Sequence, residues 1–280
     1  MNEQGVFPEL PDITLAELVE KAISNIREYE HEALARDPRG YRVGNSYGKD
    51  SCVVMHLCKM AGVKFWSAHS VTTLDPPEAI RFGRATFPDT IEERSPCGMA
   101  LLSMLANVKT TLPTRQRRWC CDIFKERANG LVNLFGIRHA ESRRRRDWKM
   151  WTPHITTRDW TLNPILFWRD DQLWKFINAE SIPVCPLYKT KNCKRIGCVG
   201  CPLHPDNRRE EFKKWPRYEM AWKWAVTKFW ERLHDAKTKR SHGKEYYSWH
   251  KFKTPELLWQ WYMEEGSGTE DDGCDGLGLT

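Results

Sequence analysis

The chain has 280 residues, of which 40% are hydrophobic, and this is enough for one sizeable core and an appended smaller region. Its formal net charge is +7, which suits an anionic ligand. No segment approaches the roughly 18 consecutive apolar residues of a membrane helix, so we exclude a membrane-spanning protein and expect a cytoplasmic one. In the cytoplasm, ten cysteines indicate metal or thiol chemistry rather than a framework of disulfides.

Hydrophobic periodicity predicts a helix, a strand, a second helix and a second strand near the start of the chain. Residues 12–36 have apolar side chains at helical spacing and predict one amphipathic helix. The strand GYRVGN and the apolar helix SCVVMHLCKMAG follow. Gly62 is expected to end this second helix, because glycine tolerates the left-handed conformation. VKFWSAH then predicts the second strand.

The alternation of strands and helices continues to about residue 180. Helices are predicted at 77–87 and 98–106, with a strand near 90–93 between them. GLVNLFGI predicts a further strand, and RDDQLWKFINAE predicts a further amphipathic helix. Alternation of this kind favours an α/β fold with a mostly parallel sheet covered by helices.

Composition divides the chain into four predicted parts. From about residue 185 it shifts to Cys, Pro and Lys and then to Trp-rich helical patterns, and it ends in an acidic, glycine-rich stretch. The parts are an N-terminal helical segment (1–39), an α/β domain (40–184), a cysteine-containing and Trp-rich helical extension (185–264) and a flexible tail (265–280).

The segment SYGKDS, residues 46–51, lies where a predicted strand runs into a predicted helix. Backbone N–H groups and the helix dipole favour an anion at such a place, so the segment predicts a phosphate-binding loop. Gly48 allows close approach of the backbone, Lys49 adds a positive charge, and Ser46 and Ser51 supply hydroxyl donors. The Walker A pattern is absent, because the first glycine is missing and an aspartate follows the lysine. The alternative interpretation is an ordinary N-capped helix.

Several motifs share one resemblance. The loop resembles the S-x-G-K-D-S loop of the adenine nucleotide alpha-hydrolase-like (PP-loop) superfamily, from whose S-G-G-K-D-S form it departs at Tyr47. TTLDPPE, GIRHAESRRR and LNPILFWRDDQLWKFI follow in the order found in phosphoadenosine phosphosulfate (PAPS) reductases. RRWCCDIFKE and CKRIGCVGCPL resemble the cysteine motifs of cluster-bearing members. From about residue 40 to 235 the chain therefore resembles the PAPS reductase family, in its cluster-bearing phage and plasmid branch.

The resemblance implies a Rossmann-like sheet flanked by helices, a helical C-terminal extension and an adenine nucleotide as ligand, either ATP or PAPS or adenosine phosphosulfate (APS). The residues that it implies for nucleotide binding are Ser46, Tyr47, Gly48, Lys49, Asp50, Ser51, Thr73, Asp75, Gly136, Arg138, Ser142 and Arg143. We expect Lys49, Arg138 and Arg143 to neutralise the charge that develops in the reaction. Asp50 would orient the loop or a Mg²⁺ ion.

Two close pairs of cysteines indicate a metal centre. Cys120 and Cys121 are neighbours, and two residues separate Cys198 from Cys201. Adjacent cysteines diverge, which is awkward for one tetrahedral zinc ion but suits a cluster whose separate iron atoms each take one sulfur. By resemblance to APS reductases, these four cysteines would hold a 4Fe–4S cluster beside the nucleotide site. Two alternatives stay open, namely Cys193 as a substitute ligand and zinc as the metal.

A reductase of this family needs a thiolate nucleophile near the C-terminus and a thioredoxin-like reductant. Cys274 has such a position, but Asp271, Asp272 and Asp275 would raise the pKa of its thiol and repel an anionic substrate. An intact Lys49 and Asp50 favour ATP instead, with cleavage between the α- and β-phosphates. The sequence leaves both reactions open.

The second class of function is a binding protein. The basic runs at 115–118 and 143–146 would then contact nucleic acid in a salt-sensitive way. In this interpretation the chain is a non-reductase accessory of a mobile element, a CRISPR system or a DNA-modification defence system, and it binds nucleotide together with nucleic acid or a partner protein. In both classes we expect a homo-oligomer.

Overall fold

A computed structural model describes most of the chain. The described residues are 13–126, 129–141, 145, 147–154, 159–190, 193, 195–235, 249 and 251–264. Its strands are β1 (Tyr41–Gly44), β2 (Phe65–Ser70), β3 (Ile91–Glu93), β4 (Val132–Leu134), β5 (Trp151–His154) and β6 (Asp159–Leu162). Its helices are α1 (Leu15–Glu28), α2 (Glu30–Arg36), α3 (Lys49–Ala61), α4 (Pro77–Thr86), α5 (Leu101–Asn107), α6 (Trp119–Phe124), α7 (Asp170–Ala179), α8 (Pro205–Lys214), α9 (Pro216–His234) and α10 (Pro255–Glu264).

The six strands form one sheet in the order β3-β2-β1-β4-β6-β5. Strand β1 is parallel to both β2 and β4, and β4 is parallel to β6. Strand β5, at the edge of the sheet, is antiparallel to its neighbour β6. The predicted α/β fold with a mostly parallel sheet is therefore confirmed, and helices α8 to α10 confirm the helical C-terminal region. The predicted tail (265–280) lies outside the described residues.

The single helix predicted over residues 12–36 is wrong, because the chain forms α1 and α2 with a break at Tyr29. The backbone of Tyr29 has φ −96° and ψ 8°, outside the helical range. Its ring stacks on Trp151 of β5, with 4.2 Å between the ring centroids. Helical periodicity alone did not show the break, because it contains no information about a contact with a residue so far along the chain.

Helix α3 begins at Lys49, two positions before the predicted start of the apolar run. It ends at Gly62, whose φ of 70° confirms the predicted left-handed cap. Strands β5 and β6 and helix α6 are elements that the sequence did not predict. All three are short, and Pro153 interrupts the strand-like composition of β5.

The chain divides into two compact units, each built from three stretches. Unit 1 comprises 1–69, 78–92 and 128–196, and unit 2 comprises 70–77, 93–127 and 197–280. In the core of unit 1, sheet residues such as Val43 and Leu134 pack with α3 residues such as Val54 and Leu57. The core of unit 2 is built largely from apolar residues of helices α5, α9 and α10. None of the described helices is both long and apolar enough to cross a membrane.

Candidate functional site

The loop at residues 46–51 follows strand β1 in unit 1 and leads into helix α3. Gly48 is the N-cap of α3 and has no side chain with which to cap the helix. The hydroxyl of Ser51 donates to the carbonyl of Gly48 at 2.9 Å and lies 3.4 Å from the hydroxyl of Ser46. The first N–H groups of a helix have no acceptor within the helix, so the start of α3 has the backbone geometry that the sequence predicts for an anion site.

Tyr47 supports the loop from the interior. It has a positive φ of 59°, and only 1% of its surface is exposed. Its ring stacks on His69 with 4.2 Å between the ring centroids, and its backbone N–H donates to the side chain of Asn45 at 3.0 Å. A Cβ atom at Gly83 would lie 2.4 Å from the Tyr47 ring, so only glycine fits there without a shift. These contacts hold Tyr47 in a conformation that non-glycine residues rarely adopt.

Lys49, Asp50 and Arg138 form a charged network in unit 1. The Lys49 Nζ lies 3.1 Å from Oδ2 of Asp50, and the Arg138 Nε lies 2.6 Å from Oδ1 of the same carboxylate. Arg138 is buried and also donates to the carbonyl of Trp168 at 3.2 Å. Its guanidinium therefore fixes the Asp50 carboxylate at the start of α3.

Asp170, the first residue of α7, completes this network, and no motif in the sequence selects it. Its Oδ1 accepts from Arg138 at 2.7 Å and lies 3.8 Å from the Lys49 Nζ. Tyr188 is a second unpredicted neighbour of the loop, because its hydroxyl accepts a hydrogen bond from the backbone N–H of Lys49 at 3.1 Å. Burial raises the pKa of Tyr188, so its hydroxyl keeps its proton.

Gly136, the first residue of the motif GIRHAESRRR, lies against the backbone of Asp50. A Cβ atom at this position would lie 2.8 Å from the backbone carbonyl carbon of Asp50 and 2.9 Å from its Cβ. The glycine therefore lets the segment after β4 approach the start of α3, and Arg138 then reaches Asp50 from two residues further on. Ser142 and Arg143, which the resemblance adds to the site, lie outside the described residues.

Thr73 and Asp75 belong to unit 2, whereas the loop belongs to unit 1. The Thr73 hydroxyl accepts from the backbone N–H of Leu101 at 3.2 Å, and Thr73 has a positive φ of 66°. The carboxylate of Asp75 accepts from the hydroxyl of Thr72 at 2.7 Å. The structure thus places Gly136 and Arg138 around the loop, and it places Thr73 and Asp75 among the residues of the other unit.

The two predicted cysteine pairs both lie in unit 2. Cys120 and Cys121 are in the first turn of α6, and Cys198 and Cys201 flank a turn in which the N–H of Cys201 donates to the carbonyl of Cys198 at 3.2 Å. The Cys198 thiol donates to the Thr72 hydroxyl at 3.4 Å. Cys193 belongs to unit 1, where its thiol donates to the carbonyl of Arg195 at 3.7 Å.

The four thiols of unit 2 are within electrostatic reach of one another. The hydrogen bond between Cys120 and Cys121 raises the pKa of Cys120, and the charges of Cys198 and Cys201 add to this effect. The same hydrogen bond lowers the pKa of Cys121 to about 6, against the opposing effect of burial. Burial raises the pKa of Cys198 and raises that of Cys201 to about 11. Perturbed thiols that influence one another, as at Cys120 and Cys201, are a feature of metal-binding cysteine sets.

The four thiols of unit 2 fit the implied metal centre in kind and in number, because soft thiolates bind zinc and iron–sulfur clusters preferentially. Lys125 is a cation close to these thiols, and the charge of Cys198 raises its pKa. Within the described part of the chain, no three His, Cys, Asp or Glu side chains lie close enough together to hold a single metal ion. The thiols are therefore neighbours rather than a closed mononuclear site.

The parallel sheet, the loop between β1 and α3, and the Lys49–Asp50 pair at its end define an α/β domain of the PP-loop kind. The model of the phosphoadenosine phosphosulfate reductase domain matches residues 41–204 of the chain. The matched residues make up more than half of the 280-residue chain, and the chain therefore belongs to the PAPS reductase family. A comparison with curated protein sequences gave no match.

Solved structures of three kinds of enzyme resemble the chain. The PAPS reductase of Candida auris, in a phosphate complex, is 15% identical with a TM-score of 0.47, and the match covers 68% of this chain and 96% of that one. Candida glabrata FMN adenylyltransferase, with FAD and pyrophosphate, is 15% identical with a TM-score of 0.46, covering 68% and 67% of the two chains. NH3-dependent NAD synthetase of Campylobacter jejuni is 13% identical with a TM-score of 0.40, covering 78% and 94%.

Proposed function

We propose that the chain binds an adenine nucleotide through the loop at residues 46–51 and acts on its phosphate or phosphosulfate group. The observation that carries this proposal is the charged pair at the start of α3, where buried Arg138 holds Asp50 at 2.6 Å and Asp50 holds the Lys49 ammonium at 3.1 Å. A helix N-terminus with a lysine beside it favours a phosphate chain. Membership in the PAPS reductase family supports the same ligand.

With ATP as substrate, a nucleophile attacks the α-phosphorus, the bond between the α- and β-phosphates breaks, and pyrophosphate leaves with the bonding electrons. Lys49 would neutralise the charge that develops on the leaving group. Arg138 acts on the ligand through Asp50, because its three guanidinium nitrogens donate to Asp50, Trp168 and Asp170. Arg143 is proposed as a further phosphate contact and lies outside the described residues.

The remaining loop residues have supporting roles in the proposal. The hydroxyl of Ser46 would donate to a phosphate oxygen, and Gly48 would let the backbone approach the ligand. The hydroxyl of Ser51 lies 3.4 Å from that of Ser46 and donates to the carbonyl of Gly48, which stabilises the turn. Mg²⁺ would accompany the phosphates of ATP. Thr73 and Asp75 are proposed for the adenosine moiety because the segment TTLDPPE resembles the one that lines the adenosine pocket in relatives.

We also propose that Cys120, Cys121, Cys198 and Cys201 hold a 4Fe–4S cluster. The support is the presence of both pairs in unit 2 and the effect of the neighbouring cysteines on the pKa values of Cys120 and Cys201. When bound, such a cluster supplies a site for electron transfer or for electrostatic tuning. If the substrate is an adenylyl sulfate, the reaction also needs a thioredoxin-like reductant and a nucleophilic thiol, for which Cys274, outside the described residues, is the candidate.

The test of nucleotide binding compares the wild type with Lys49→Ala and with Lys175→Ala. Lys175 is an exposed lysine on α7 that pairs with Asp171, so it controls for the loss of one positive charge. Binding of ATP, APS and PAPS is measured by calorimetry, and pyrophosphate and sulfite are scored separately. We expect nucleotide binding that Lys49→Ala weakens by about tenfold or more and that Lys175→Ala leaves unchanged. Equal binding by all three proteins would contradict the proposal.

A second candidate function is the accessory protein that binds nucleic acid. The observation that favours it is the exposure of Arg115 and Arg117 in the segment before α6 of unit 2. Arginines on a surface bind phosphate backbones with an affinity that falls steeply with salt concentration. A mobility shift with DNA and RNA that disappears at high salt and in the variant Arg115→Gln/Arg117→Gln would support this function. A protein without any such shift would exclude it.

A further inference from the structure

Helix α7 and the turn that follows it place two hydrogen-bond acceptors of the chain against the loop. Tyr188, in the 3-10 turn Pro186–Lys189, accepts a hydrogen bond at 3.1 Å from the backbone N–H of Lys49. Its ring packs edge-on against Trp174 of α7, with 5.7 Å between the ring centroids. The hydroxyl oxygen of Tyr188 therefore occupies the position that a phosphate oxygen takes at the first N–H of a helix.

Asp170 is the second acceptor. It lies one turn before Trp174 on α7, accepts from Arg138 at 2.7 Å, and approaches the Lys49 ammonium to 3.8 Å. Asp50 provides the other carboxylate of the network. Two cations and two carboxylates thus balance one another at the loop, and 70% of the Asp170 side chain is exposed, so its charge faces an incoming anion.

We propose that Asp170 and Tyr188 compete with phosphate for the loop, so that an anion binds tightly only when contacts beyond the loop offset the cost of this competition. This inference rests on the proposed nucleotide-binding function. An anion that uses the Lys49 N–H must displace the Tyr188 hydroxyl, and its charge is repelled by the Asp170 carboxylate. Every anion at the loop bears this free-energy cost, whose electrostatic part grows with the charge of the anion. Inorganic phosphate, sulfate and pyrophosphate have only the loop to bind, whereas a nucleotide gains further contacts through its adenosine moiety and offsets the cost.

The test uses two conservative substitutions. Asp170→Asn removes the charge and keeps an oxygen that accepts from Arg138, and Tyr188→Phe removes the hydroxyl and keeps the ring that packs against Trp174. Dissociation constants for pyrophosphate and ATP are measured by calorimetry in the presence of a chelator, so that no divalent metal contributes. We expect each variant to bind both ligands about fivefold more tightly than the wild type. The gain in Asp170→Asn shrinks as the salt concentration rises, and the gain in Tyr188→Phe does not.

Two matched controls separate competition at the loop from general effects. Asp171→Asn removes a neighbouring carboxylate that pairs with Arg169 at 3.1 Å and with Lys175 at 3.8 Å. Tyr41→Phe removes a buried hydroxyl that donates to the carbonyl of Ile26 at 2.7 Å. Both controls are expected to leave the dissociation constants within about twofold of the wild type.

The outcomes distinguish this inference from the function on which it rests. If the wild type binds ATP and both loop variants bind it equally well or more weakly, the competition is refuted and the nucleotide-binding function stands. If the controls tighten binding as much as the loop variants do, the competition is refuted as well. If the wild type and both loop variants bind neither ATP nor pyrophosphate, the proposed function fails, and the inference fails with it.

Discussion

The guanidinium of Arg138 lies 2.6 Å from the carboxylate of Asp50, although the two residues are 88 positions apart in the sequence. Asp50 belongs to the first turn of α3, and Arg138 follows strand β4. Only 2% of Arg138 is exposed, so the pair is held inside unit 1 rather than at its surface. The pair thereby links the start of α3 to the segment that follows strand β4.

Replacement of Arg138 by lysine is expected to destabilise the protein. Three different nitrogens of the planar guanidinium donate to Asp50, Trp168 and Asp170, and the single nitrogen of a lysine cannot reproduce this spread. The lost hydrogen bonds of a buried cation cost about 1–3 kcal/mol of the free energy of unfolding. Urea unfolding of Arg138→Lys measures the difference. Arg169→Lys, which alters an exposed ion pair with Asp171, is the matched control and should leave the unfolding midpoint unchanged.

Gly136→Ala is expected to disturb the loop by steric overlap alone. The added methyl group would lie 2.8 Å from the carbonyl carbon of Asp50, so the start of α3 must shift, at a cost of about 1–3 kcal/mol. We expect a lower unfolding midpoint and weaker ATP binding in the same calorimetric assay. At Gly197 no atom lies within 4 Å of an added Cβ, so Gly197→Ala should bind ATP like the wild type. Unchanged ATP binding in Gly136→Ala would show that the close approach to Asp50 does not matter.

Thiol reactivity should depend on pH in a residue-specific way. The hydrogen bond from Cys120, followed by that from Arg118, lowers the pKa of Cys121 to about 6. Because the thiolate is the reactive form, alkylation of Cys121 in metal-free protein should rise as the pH increases through about 6 and then level off. Cys58, whose pKa burial raises, should stay unmodified throughout. Mass spectrometry after short iodoacetamide treatment measures both sites, and a rise at Cys121 only above pH 8 would contradict the expectation.

The ligand set of the proposed cluster is decided by two serine substitutions. Cys198 shares unit 2 with Cys120 and Cys121, whereas Cys193 belongs to unit 1 and donates to the carbonyl of Arg195. After anaerobic reconstitution, we expect Cys198→Ser to lose most of its iron, its sulfide and its absorbance near 400 nm, while Cys193→Ser retains them. The reverse result would make Cys193 a ligand. Zinc as the sole bound metal in the wild type would exclude the cluster.

Local sequence signals predicted the elements that lead to the loop. The order of strand, Gly48-Lys49 turn and apolar helix is contiguous in the chain, and a glycine ends the helix, so β1, α3 and the cap at Gly62 followed from neighbouring residues. The break at Tyr29 did not follow, because the helical pattern of the sequence continues through it and does not reveal the contact of its ring with Trp151 on β5. Single-sequence patterns contain little information about contacts of this kind.

The candidate site likewise contains residues that local motifs select and residues that only distant contacts bring to the loop. Motifs identified Lys49, Asp50 and Arg138, but nothing in the sequence distinguished Asp170 from its neighbour Asp171 on the predicted helix. Their difference is a matter of position, since Asp170 reaches Arg138 while Asp171 pairs with Arg169. Tyr188 lies 139 positions from Lys49, and only the packing of its turn on α7 brings the two together. The motifs therefore selected residues that are contiguous in the chain, and they did not select residues that only the tertiary fold brings to the loop.

The interleaving of the two units sets an order for events during synthesis. All of unit 1 has been added to the growing chain once residue 196 is in place, before the ribosome has added either Cys198 or Cys201. Unit 2 also needs the stretch 197–280, which is synthesised after Cys120 and Cys121. Unit 1 can therefore fold co-translationally, and any metal centre that uses both thiol pairs can assemble only after Cys201 has been added.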